Sequence, residues 1–164
     1  MKIEYYLYMT LVVMMMFSCD LTDELDPGGT AVEKLAGDWF VKIYENEVAD
    51  GNLLSNSYYT VTTYNTSANI PTELYLDDHE TWPYKGVLKV NAAALTFDAA
   101  AGGANFYNDT IFAEILGGQV WLDAVQPPSG TTTDSIQIRF KFSDYDNEVI
   151  YSGYRRTGFL EDEH

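Results

Sequence analysis

The stretch Ser135-Ile136-Gln137-Ile138-Arg139-Phe140-Lys141-Phe142 decides the fold class. Apolar Ile136, Ile138, Phe140 and Phe142 alternate with polar Gln137, Arg139 and Lys141. Successive side chains on a strand point to opposite faces, so this period of two predicts a strand with one dry face and one wet face. Working outward, Trp39, Val41 and Ile43 alternate with Lys42 and Glu45, Leu74 and Leu76 with Glu73 and Asp77, and Leu88 and Val90 with Lys89 and Asn91. Ile111, Ala113 and Ile115 share a face, as do Val120, Leu122 and Ala124. Tyr58–Tyr64 is rich in Thr and Tyr, which favour strands, and Val149–Thr157 closes the series.

Turn residues divide these runs. Gly117-Gly118 predicts a two-residue hairpin. Asp144-Tyr145-Asp146-Asn147 reads as a tight polar turn, and Gln126-Pro127-Pro128-Ser129-Gly130 opens a longer loop. Ala92–Ala94 and Ala99–Ala104 have helical composition, but Gly102 and Gly103 argue against a helix. The reading is all-β: a single antiparallel meander of about eight to nine strands. A meander of that size buries its apolar face by closing into a barrel or folding into a sandwich. Closure removes the edges and can leave an interior for one small ligand. Trp39, Val41, Ile43, Leu88, Leu122, Ile136, Ile138 and Phe140 are the expected inward-facing positions, and all of them but Trp39 are the ligand-binding candidates.

The N-terminus carries a second message. Cys19 is the single cysteine of 164 residues. It ends an apolar run, Tyr5 to Phe17, with Ser18 before it and acidic residues after it. A charged start, a short apolar core, a small residue and then Cys is the layout of a lipoprotein signal peptide. The run is too short to span a bilayer, which needs about 20 apolar residues. Residues 1–18 are therefore expected to be removed, and Cys19 to be acylated and hold the protein to a membrane. Residues 19–33, with Asp20, Asp23, Glu24, Asp26 and Pro27-Gly28-Gly29, read as a flexible acidic tether. The barrel is expected over 34–159, and 160–164 as an acidic, frayed tail. Acidic residues behind the lipidated cysteine also resemble a surface-export signal, so the expected location is the outer membrane, with surface exposure a further possibility. With one cysteine there is no intramolecular disulfide.

The formal charge is −16. Polyphosphate and anionic headgroups are repelled by such a surface, which argues against nucleic acid and a polybasic membrane patch. Apolar residues make up 46% of the chain, so it is globular rather than disordered. No catalytic constellation stands out. Serine hydrolysis needs an imidazole, and the two histidines are His79, in the turn-like Asp77-Asp78-His79-Glu80, and His164. No Gly-x-Ser-x-Gly elbow is present. The same acidic run offers four adjacent ligand types, but neighbours on a strand face opposite ways, so it reads as a solvated turn and no metal site is expected. No cofactor is expected either.

A resemblance supplies the rest. Gly37-Asp38-Trp39 opens the first strand as Gly-x-Trp does in lipocalin-like barrels. The last strand carries Ser152-Gly153-Tyr154-Arg155-Arg156-Thr157-Gly158-Phe159. Together with Asn69–Glu73 and the Asp77-Asp78 turn leading to Trp82, these motifs resemble the lipid-binding putative hydrolase family of small lipoproteins from Gram-negative anaerobes. The resemblance implies a lipocalin-like barrel in which Trp39, behind Gly37, plugs one end and Arg155 or Arg156 packs across the indole. The loops after Tyr58–Tyr64 and around Gln126–Thr133 are expected to rim the other end. It implies a small apolar or lipid-like ligand and, less strongly, esterase-type hydrolysis. The competing reading is an accessory lipoprotein with a filled core, acting through outer-membrane protein partners of a glycan-uptake system.

Overall fold

The computed structural model describes residues 28–101 and 103–164. Cys19, the leader at 1–18 and the tether as far as residue 27 lie outside the described residues. Eight strands follow in chain order: β1 (Gly37–Glu45), β2 (Tyr59–Asn65), β3 (Glu73–Asp77), β4 (Lys85–Asn91), β5 (Thr96–Phe97), β6 (Ala113–Val125), β7 (Thr133–Phe142) and β8 (Glu148–Arg155). Each pairs antiparallel with the next, and β8 returns to pair with β1, so the meander closes into a barrel. The all-β reading holds, at the lower of the two strand counts.

The alternation in the sequence is the inside-outside pattern of the wall. Ile136, Ile138, Phe140 and Phe142 are buried inward, as are Trp39, Val41, Ile43, Leu74, Leu76 and Leu88. Each fully buried side chain of this size contributes about 1.5–3 kcal/mol. The interior is occupied by the protein itself. Phe140 stacks on Phe142 with centroids 5.5 Å apart, and Tyr151 lies 5.0 Å from Phe140. Tyr84 meets Phe140 edge-on at 5.8 Å.

Several expectations from the sequence require correction. Gly117-Gly118 is not a hairpin, because β6 runs through it as one long strand. The register slips between Ile115 and Gly117, where Gly117 takes φ +125°. A Cβ on Gly118 would strike the backbone of Gln137 and Ile138. The glycines serve a bulge and a close backbone approach, which bend a strand without ending it. Leu122 does not face inward; it is 43% exposed. A second slip between Trp121 and Val125, with Asp123 at φ 51°, breaks the alternation there.

The tail is not frayed. Leu160–Asp162 forms a 3₁₀ turn that folds back on the barrel. Asp162 is buried and accepts hydrogen bonds from the Ser129 N–H (2.8 Å), the Ser129 hydroxyl (2.7 Å) and the Thr157 hydroxyl (2.5 Å). His164 stacks on Tyr58 at 3.9 Å.

Strand direction assigns the loops to ends. Strand β1 starts at the end where Trp39 lies, so the β2–β3, β4–β5 and β6–β7 connections return to that end. Residues 46–58, 78–84, 98–101, 103–112 and 143–147 lie at the other. The loop after β2 and the loop at Gln126–Thr133 therefore stand beside the Trp39 end, not opposite it, because reversal at every turn puts alternate loops on one rim. A cleft of about 330 Å³ at the Trp39 end is lined by Thr30–Leu35, Pro71, Ala92 and Ala93, so the entering chain crosses that end.

Candidate functional site: a plugged end and a polar cluster at the other

The plug is built around Trp39. Its indole N–H donates to the Thr63 hydroxyl at 2.8 Å, and that hydroxyl donates to the Leu35 carbonyl at 2.6 Å. Arg155 is the register partner of Trp39, so both side chains leave the same face of the sheet. Its guanidinium carbon lies 4.5 Å from the indole centroid. The same guanidinium donates to Asp134 at 2.9 Å, to the Lys34 carbonyl at 2.9 Å and to the Ala36 carbonyl. A Cβ on Gly37 would sit 2.5 Å from Arg155 Nη1, so the glycine leaves room for the cation. Arg156 points the other way: it covers Phe40 at 5.7 Å on the outer wall and pairs with Glu163. Of the two arginines, Arg155 packs on the tryptophan.

Val41, Ile43, Leu88, Ile136, Ile138 and Phe140 all line the filled interior. Leu122 is on the outside.

The opposite end holds a group of polar atoms that periodicity did not reveal. The turn after β3 is where it was expected, and His79 and Glu80 are exposed, but its two aspartates are buried. Asp78 is 0% exposed. Its carboxylate accepts from the Trp82 N–H at 2.9 Å, the Tyr84 N–H at 3.0 Å and the Tyr151 hydroxyl at 3.0 Å. Burial pushes the Asp78 carboxyl above its ordinary range, and these donors offset only part of that. Tyr84 is also buried. Burial, and then the neighbouring Asp78 charge, push its phenol up to about 12, so it is neutral. Its hydroxyl has no hydrogen-bond partner among the described residues. It lies over Gly86, where a Cβ would be 2.6 Å away.

The wall beside Tyr84 is unusual. Strand β5 is two residues long, and the chain after it completes the wall: the Asp98 and Phe106 N–H groups donate to the Lys89 and Lys85 carbonyls of β4, and Ala100 pairs with Ile115 of β6. Asn105 holds this loop: its carboxamide accepts from the Lys85 N–H and donates to the Pro83 and Ile111 carbonyls. The loop exposes Phe106 (58%) and Phe112 (56%). Trp82 stacks on Phe142 at 5.4 Å and meets Tyr145 at 4.9 Å, roofing the core.

Asp77 faces outward next to Asp78 and behaves in the opposite way. Burial raises its pKa, but Lys85 (2.8 Å), the Tyr107 hydroxyl (2.6 Å) and the His79 N–H (3.0 Å) outweigh that and leave it lowered. Thr62 Oγ1 lies 2.8 Å from His79 Nε2, and His79 Nδ1 lies 3.9 Å from Asp77. This mimics a nucleophile-base-acid series, but the Thr62 proton is donated to Asp38 at 2.8 Å. The imidazole then meets a lone pair, not a proton it can take. Among the described residues no three His, Cys, Asp or Glu side chains gather as a metal site.

A family model described as lipid-binding putative hydrolase matches residues 24–160, nearly the whole described chain. The protein belongs to that family, and its closed barrel fits a lipid-binding role. No curated protein matches it.

Proposed function

We propose that this member of the lipid-binding putative hydrolase family is a membrane-anchored envelope lipoprotein that takes a small apolar ligand at the unplugged end of its barrel. The observation that carries this reading is the asymmetry of the ends. One is locked by Trp39, Thr63 and Arg155. The other ends in aromatic rings over buried polar groups, beside a loop that presents Phe106 and Phe112 to solvent. Apolar side chains around a few fixed polar atoms are the usual make-up of a small-molecule site. Acylation of Cys19 supplies the anchor, and the chain approaches the body from the plugged end. Outer-membrane location and exposure at the cell surface belong to the same proposal.

The filled interior favours a second reading, an accessory lipoprotein that works through its surface in an outer-membrane uptake assembly. The full chain carrying Cys19→Ser separates the two. Native mass spectrometry and solvent extraction should recover a co-purifying lipid, and the variant should leave the membrane fraction. A protein that is empty and inert to lipid titration supports the accessory reading. A Cys19→Ser chain that stays firmly in the membrane removes the anchor.

A further inference from the structure

The Tyr84 hydroxyl is the group that remains unexplained by the fold. A buried phenol without a partner costs about 1–3 kcal/mol of desolvation, so native cores rarely keep one. The barrel had simpler solutions at this position, since phenylalanine has the same ring and no polar atom. Instead the chain places glycine at 86, directly under the hydroxyl.

The surroundings restrict what the hydroxyl can meet. Asp78 already accepts from the Trp82 and Tyr84 N–H groups and the Tyr151 hydroxyl. Its charge, and the protein's −16, oppose an incoming anion. The core beneath is close-packed, so a chain cannot thread down the barrel axis without displacing Phe140 and Tyr151. Beside it β5 is only two residues long, and the wall is completed by loop backbone, with the Asp98 and Phe106 N–H groups donating to Lys89 and Lys85 and Ala100 pairing with Ile115, so a ligand enters laterally by parting these few loop hydrogen bonds.

We infer that Tyr84 recognises the uncharged oxygen-bearing head of a neutral lipid, an ester carbonyl or alcohol, with the acyl chain lying outward against Phe106 and Phe112. This rests on the ligand-binding reading above and deepens it. Tyr84 donates its unused proton to the head, and the chain lies against the apolar side chains of the loop. A free carboxylate is refused because it brings a second negative charge beside Asp78.

The test uses the full chain carrying Cys19→Ser, with calorimetric titration of monodecanoylglycerol and of decanoate at about pH 8, where the acid is ionised. The neutral lipid should bind about tenfold more tightly than the carboxylate. Adding Tyr84→Phe should weaken monodecanoylglycerol about tenfold, leave decanoate unchanged, and leave the melting temperature equal or higher. Decanoate binding as tightly as the neutral lipid overturns the inference while the binding site stands. So does a folded Tyr84→Phe protein with unaltered affinity. A folded parent that binds neither lipid overturns the ligand-binding reading together with the inference. The comparison of the two lipids on the parent needs no Tyr84 variant, so it holds even if that variant misfolds.

Discussion

Trp39 and Arg155 close the barrel seam as a direct cross-strand pair, guanidinium over indole at 4.5 Å. The cation also ties down the entering chain through the Lys34 and Ala36 carbonyls and reaches Asp134 on β7. One side chain therefore joins β1, β7, β8 and the N-terminal segment.

Arg155→Ala should destabilise the fold by about 2–3 kcal/mol, from the lost cation–π contact plus orphaned carbonyls and carboxylate. Arg156→Ala, whose ion pair with Glu163 is solvent-exposed, should cost much less than Arg155→Ala. Urea denaturation of the two variants checks this; equal losses would remove Arg155 from its special place.

Asp78 is the stability test at the other end. Asp78→Ala strands two backbone N–H donors and the Tyr151 hydroxyl in a buried site, for an expected loss of about 3–5 kcal/mol. Tyr151→Phe removes one of those bonds and should cost about 1–2 kcal/mol. Guanidinium unfolding followed by circular dichroism measures both. A surface-like loss below about 1 kcal/mol for Asp78→Ala would contradict the burial.

Adjacent carboxylates should give opposite pH dependences. Asp77 has a lowered pKa in the fold, so its contribution is present above the ordinary carboxylate value of 3.8 and is lost as pH falls through the folded value. Asp78 has a raised pKa, so the native state holds its proton more tightly. Stability from that group declines as pH rises from 3.8 through the raised value. The gap between parent and Asp77→Asn should widen from acid to neutral pH, and the gap between parent and Asp78→Asn should narrow. Unfolding free energies across that range read both signs, and parallel trends would refute the assignment.

Hydrolysis has its own control. Because the Thr62 proton goes to Asp38, neither Thr62→Ala nor His79→Ala should change turnover of a short-chain ester panel, whatever its level in the parent. A fall of tenfold or more in both variants would mean that the outer-wall trio is chemically armed.

The strands were legible because alternation is a local property. Ser135–Phe142 and Trp39–Ile43 read as half-buried from their neighbours alone, and both became wall segments with the expected faces inward. Gly117-Gly118 misled for a local reason too: glycine marks both turns and bulges, and only the partner backbone at Gln137 decides between them. Asp78 was unreadable. An acidic residue in a polar turn looks solvated until Tyr151, far along the chain, is folded over it.

The order of residues by itself determined the fold class and the family, since each depends on side-chain period or on short motifs. Tertiary structure alone decided which arginine covers the indole, which loops share a rim, and that a carboxylate and a phenol lie under the aromatic roof. Those facts depend on strand direction and register, which bring together groups distant along the chain and set how much water each one keeps.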